Sequence, residues 1–154
     1  MIYEFCAENV TLLEKAMQAG ARRIELCDNL AVGGTTPSYG VTKAAVELAA
    51  NYDTTIMTMI RPRGGDFDYN DLEIDIMLED IRLTAQAGSQ GVVFGALTAD
   101  KKLDKPNLEK LIAASKGMEI VFHMAFDELS DEDQLEAIDW LSQAGVTRIL
   151  TRAG

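Results

Sequence analysis

Three stretches of the chain repeat one pattern: "AMQAGARRIELC" (16–27), "AQAGSQGVVFG" (85–95) and "SQAGVTRILTR" (142–152). In each, a helical tail runs into Ala-Gly, a two-residue connection follows, and a short apolar strand begins. Gly20, Gly88 and Gly145 suit the left-handed residue that ends a helix. The strands are rich in β-branched residues and do not alternate cleanly with polar ones, the pattern of parallel strands covered on both faces. Extending this reading along the chain gives strands near 2–6, 22–27, 54–60, 91–95, 118–123 and 147–151, with helices near 9–19, 38–51, 70–87, 106–115 and 131–144. Asn9 is placed to cap the first helix, Ser130 the fifth, and Pro106 stands early in the fourth. Unbroken βα alternation with short αβ loops predicts a parallel sheet with helices outside it.

Two α/β architectures meet that description, an open doubly wound sheet and a (β/α)8 TIM-type barrel. The first strand is followed by "CAENVT" rather than G-x-G-x-x-G, so the nucleotide-binding form of the open sheet loses its main signature. The even repeat favours the barrel. Only six strands are counted in 154 residues, whereas a barrel of this type needs about 200 residues or more. The expectation is one TIM-barrel-like domain over residues 1–154 with about six βα units, lacking the last two. Otherwise the sheet is open at both edges. Unpaired edges invite another chain, so a homo-oligomer is expected.

Composition narrows the partners. A net charge of −11 leaves no basic stripe for nucleic acid. No apolar run approaches a membrane span. The N-terminal "MIYEFCAENV" has neither the basic nor the apolar segment of a secretory signal. Two cysteines, Cys6 and Cys27, make no disulfide framework and no C-x-x-C pair. These features predict a cytoplasmic protein with reduced thiols.

In a parallel α/β sheet the site lies at the carboxyl ends of the strands. Polar groups gather there: Cys6 and Glu8 after the first strand, Glu25, Cys27 and Asp28 on the second, Arg61 and Arg63 after the third, His123 and Asp127 after the fifth. Side chains two apart share a face, so Glu4, Cys6 and Glu8 form one set, Glu25 and Cys27 another, and Met57, Met59 and Arg61 a third. If these faces look inward, carboxylates, thiols and a guanidinium meet. A buried carboxylate needs a partner, and a salt bridge from Arg61 or Arg63 to Glu25 or Asp28 is expected. Adjacent strands lie about 4.8 Å apart, so both sulfurs can reach one metal ion or form a strained disulfide. "RPRGGDF" reads either as an anion-binding turn or as a structural turn whose arginines neutralise Glu4 and Glu25. "GGTTPSYG" offers amides and hydroxyls that suit an anion or a capped loop.

The motifs "ELCDNLAVGGTTPSYG", "MIRPRGGDFDY", "GVVFGALTAD", "FHMAFD" and "RILT" occur in the order and spacing of the bacterial CutC proteins, usually called copper homeostasis proteins. The chain resembles that family from Met1 to about Thr151. The resemblance implies a (β/α)8-type barrel, with two further strands in family members. It carries the family's copper-binding cysteines onto Cys6 and Cys27, with Cu(I) as the metal. It also matches family motifs at Glu25, Asp28, Arg61, Arg63, His123 and Asp127. One departure stands out: the family usually shows arginine inside "FHRAFD", and this chain has Met124, which removes a positive charge beside His123.

Two functions of different class follow. In one, Cys6 and Cys27 hold Cu(I) as thiolates, because soft sulfur selects that ion, with His123 or a methionine as a third ligand. In the other, a barrel enzyme acts on a small anionic metabolite. Arg61 and Arg63 then grip the anion, His123 or Glu25 serves as general acid or base with Asp127 orienting, and Asp28 is a further candidate without an assigned role.

Overall fold

A computed structural model of the chain describes residues 1–151. Six parallel strands alternate with five α-helices: β1 (Glu4–Glu8), α1 (Leu13–Gln18), β2 (Arg23–Cys27), α2 (Tyr39–Ala50), β3 (Thr55–Met59), α3 (Asp71–Ala87), β4 (Gly91–Phe94), α4 (Lys105–Ala114), β5 (Glu119–Phe122), α5 (Asp131–Ala144) and β6 (Arg148–Ile149). The strands lie in chain order, β1 to β6, each parallel to the next. This is the curled half of a (β/α)8-type barrel, with its helices on the outer side.

Alternation along the strands separates two kinds of core. Outward-facing Ile24, Leu26 and Ile56 pack with Leu13 and Met17 of α1 and Ala45 and Ala49 of α2. Outward-facing Val92, Phe94, Ile120 and Phe122 pack with Ile74, Met77 and Ile81 of α3, Leu108 and Leu111 of α4, and Leu141 of α5. Burial of such side chains stabilises the fold by about 1.5–3 kcal/mol each. The concave face holds a smaller third cluster of Cys27, Met57, Met59, Val93 and Val121, with Leu150 against it. Gly91 is required there: a Cβ would fall 2.4 Å from Met57 Sδ and 2.8 Å from the Glu119 carbonyl oxygen.

The helix ends follow the sequence signals with one exception. Ser130 caps α5 through the Asp133 amide, and Pro106 sits in the first turn of α4 behind the Asp104 cap. Gly88 and Gly145 take the left-handed caps, at φ 93° and 103°. Asn9 does not cap α1. Its backbone is left-handed at φ 52°, and its side-chain amide donates to Asp28 Oδ1 at 3.1 Å. The helix therefore begins only at Leu13, after a second left-handed residue, Leu12. Two 3₁₀ turns, Leu30–Val32 and Met124–Glu128, follow β2 and β5 at the mouth of the sheet. No helix among the described residues is long and apolar enough to cross a membrane.

Candidate metal centre and the mouth of the sheet

The pairing of β1 with β2 sets the first group. Cys6 lies directly beside Glu25, and Glu8 beside Cys27, so Cys6, Glu25 and Cys27 share the concave face. Their ligand atoms all lie within 4.8 Å of one another. Cys27 is fully buried and Cys6 is exposed. Two metal–thiolate bonds of about 2.3 Å, the zinc–sulfur length, span roughly that separation. Both thiols are free rather than joined in a disulfide.

The electrostatics of this group are those of acids crowded together. The Cys27 thiol donates toward Cys6, which draws the Cys6 thiol below its ordinary value. The same bond, with burial and the charge of Glu25, pushes Cys27 well above its own. The Cys27 sulfur also lies 3.9 Å from Glu25 Oε1. Burial, and then the charge of Glu4, raise Glu25 from 4.5 to about 7. Glu4 itself pairs with Arg23 at 3.6 Å. Among the described residues no basic group pairs with Glu25, so a cation entering here relieves the repulsion that remains.

The expected salt bridge from Arg61 or Arg63 to Glu25 or Asp28 does not form. Arg61 is only 3% exposed, yet its Nη1 donates to the carbonyls of Val32 (2.6 Å) and Gly34 (3.1 Å) and its Nη2 to that of Gly65 (2.9 Å). The loops after β2 and β3 fold over the guanidinium and present oxygens before any carboxylate can reach it. Arg63 leaves the sheet altogether. It pairs with Glu73, the capping-box residue of α3, and with Asp66 at 3.1 Å. Asp28 serves the backbone instead, accepting from the Asn9 side chain and the Asn29 amide, while its main chain bridges to Thr35.

His123 is buried on the concave side. Its Nδ1 accepts from the Ala125 amide at 3.1 Å, so the neutral ring carries its proton on Nε2. Burial, followed by the charge of Arg61, lowers its pKa to about 3. It is not part of the thiol group. It packs instead against Phe67, with ring centroids 4.9 Å apart, and Arg61 lies 5.0 Å over the same Phe67 ring. Asp127 stands in the 3₁₀ turn after β5, where it accepts from the Thr151 hydroxyl. Together with Arg61 and Phe67 it lines a cleft of 380 Å³. Sequence reasoning passed over Phe67 and Tyr69, although "GGDFDY" follows the arginines directly. Glu8, expected beside Cys6 at the end of the first strand, accepts from the Leu30 amide at 2.8 Å and holds the 3₁₀ turn.

Glu25 makes stability depend on pH in a defined direction. The folded chain keeps its proton up to about pH 7, whereas the unfolded chain loses it near 4.5. Folded chains bind the extra proton between those values, so this group's contribution falls as pH rises through that window, by at most about 3 kcal/mol. His123 works in the opposite direction, because its lowered pKa costs stability as pH falls below 6.5. The difference between wild type and Glu25→Gln isolates the first effect. Urea denaturation from about pH 5 to about pH 8 should show wild type losing stability relative to Glu25→Gln as pH rises. Parallel profiles would contradict the buried, unpaired carboxylate.

Comparison with known proteins agrees with this architecture. The model of the CutC family matches residues 1–154. A CutC family protein of Enterococcus faecalis is 54% identical over 154 residues, covering 100% of this chain and 74% of that protein. A human copper homeostasis protein cutC homolog is 42% identical over 150 residues, covering 97% of this chain and 53% of that protein. The crystal structure of CutC from Streptococcus agalactiae superposes with a TM-score of 0.96 at 48% identity, covering 100% of this chain and 73% of that one. With its strand order, its half-barrel and its sequence all in agreement, this chain belongs to the CutC family.

Proposed function

We propose that the chain is a copper homeostasis protein that binds Cu(I) through the Cys6 and Cys27 thiolates in the cytoplasm. The observation that carries this reading is the convergence of two free thiols from neighbouring strands, with Glu25, within 4.8 Å on the concave face. Soft thiolates prefer Cu(I) to hard divalent cations. Binding requires both sulfurs to lose their protons. Cys6 is already the more acidic of the two, and Glu25, raised to about 7, stands beside Cys27 as a proton acceptor. Met57 and Met59, packed with Cys27, keep the inner side of the site dry. A relative named as a copper homeostasis protein supports the same reading, as do thiols that a reducing compartment keeps free.

Anaerobic titration of the reduced chain with Cu(I) against a competing chelator tests this. The Cys6→Ser/Cys27→Ser double variant should bind at least about 100-fold more weakly, about 2.7 kcal/mol. Glu25→Gln should keep most of the affinity and lose part of its pH dependence. Unchanged affinity in the double variant would remove the proposal.

The chain is also proposed to self-associate. Among the described residues, β1 and β6 each pair with one neighbour only, and Ile2, Tyr3 and Leu12 beside β1 are 58%, 64% and 57% exposed. Open edges and apolar surface of this kind favour association. Light scattering on the purified chain should give a dimer or larger. A monomer at all accessible concentrations would exclude it.

A further inference from the structure

Arg61 brings a full positive charge into the mouth of the sheet, and no carboxylate of the described residues lies within ion-pair distance of it. Its three hydrogen bonds all go to backbone carbonyls. These orient a guanidinium but do not neutralise it, and a buried, uncompensated charge is costly. Two of its five N–H groups remain, one on Nη2 and the one on Nε, and Nε is buried without a partner. Two further buried polar atoms in the same neighbourhood also lack partners: His123 Nε2 and the Tyr69 hydroxyl. Arg61 and His123 both lie against Phe67, at 5.0 and 4.9 Å from that ring's centroid. The charge of Arg61 is felt at both His123 and Tyr69.

These groups share a chemical bias. Arg61 Nε and His123 Nε2 are both donors, the second because Nδ1 already accepts from Ala125. Unmatched donors beside an uncompensated cation call for an anionic acceptor. There is room for one. Arg61 lines a cleft of 380 Å³ with Val32, Gly33, Gly65, Phe67 and Met124, within the range of small-molecule sites. Asp127 and Glu128 also line this cleft. Asp127 accepts from the Thr151 hydroxyl, and Glu128 lies 3.8 Å from Lys101. Arg61 is the one basic residue among those lining the cleft, so a singly charged ligand is a better match than a dianion.

We infer that the cleft over Phe67 binds a small monocarboxylate, whose charge is met by the uncompensated guanidinium of Arg61. The site is separate from the thiol pair, although one dipeptide touches both. The Gly34 carbonyl accepts from Arg61, and a Cβ on Gly34 would fall 2.9 Å from Cys27 Sγ.

His123 is the sole histidine and packs against Phe67, which lines the cleft, so its single imidazole resonance set reports on the cleft from behind that ring. The chain, labelled with ¹⁵N-histidine, is titrated with sodium acetate, with sodium chloride and with inorganic phosphate at matched ionic strength near pH 7.5. Acetate should shift the imidazole signal saturably, with half-saturation in the millimolar range, and should raise the thermal midpoint. Chloride should do neither. Arg61→Gln should weaken the acetate response at least tenfold. Should that variant fail to fold, Met124→Trp, which fills the cleft and leaves Arg61 intact, should abolish the response instead. Equal responses to acetate and chloride, or an acetate response that survives in the folded variant, would overturn the site. Tighter binding of phosphate than of acetate would overturn the monocarboxylate assignment.

Discussion

The in-register parallel pairing of β1 with β2 governs the rest of the molecule. Cys6 meets Glu25 across that ladder, and Cys27 follows two residues on. The intervening residues Ile24 and Leu26 point the other way and are fully buried beneath α1 and α2. A slip of one residue would carry the thiols under the helices and expose both aliphatic side chains. Losing two such burials costs about 3–6 kcal/mol, far more than a weak S–H hydrogen bond returns. The outer core therefore sets the spacing of the sulfurs, and the thiol pair is held ready without a disulfide between its members.

The mouth of the sheet keeps two unmatched charges apart. Glu25 has acidic neighbours and no cation, which is why its carboxyl rises to about 7. Arg61 has carbonyl partners and no carboxylate, which contributes to holding the neighbouring His123 at about 3. The chain prevents the obvious pairing by laying the Leu30–Gly34 loop between them. Arg61 anchors that loop through the Val32 and Gly34 carbonyls, and Gly34 closes against Cys27. Gly34 has a φ of +95°, so both the backbone conformation and the close contact exclude a side chain there. This is how the glycine-rich stretch after β2 answers the polar residues before it: it insulates an acidic pocket from a basic one.

Much of this was legible in the sequence, because strand parity and helix stops are local properties. The Ala-Gly repeat led to the six βα units, and two-residue periodicity placed Glu25, Cys6 and Cys27 on one face. Side-chain partners across loops were not legible. Arg61 and Arg63 have the same local chemistry, yet one is held by the carbonyls of Val32, Gly34 and Gly65 and the other turns out to Glu73, partners that lie on other segments of the chain or across a loop. Asn9 has the composition of a helix cap, but the longer-range bond to Asp28 wins and delays α1 until Leu13. The two 3₁₀ turns have no periodicity long enough to be recognised.

The central claim is that the inner-face thiols of adjacent strands form one metal site. X-ray absorption at the copper edge, on the reduced chain loaded with one equivalent of Cu(I), tests it most directly. The account predicts a first shell containing two sulfur scatterers, reduced to oxygen or nitrogen neighbours alone in the Cys6→Ser/Cys27→Ser variant. A wild-type spectrum with one sulfur or none would contradict it.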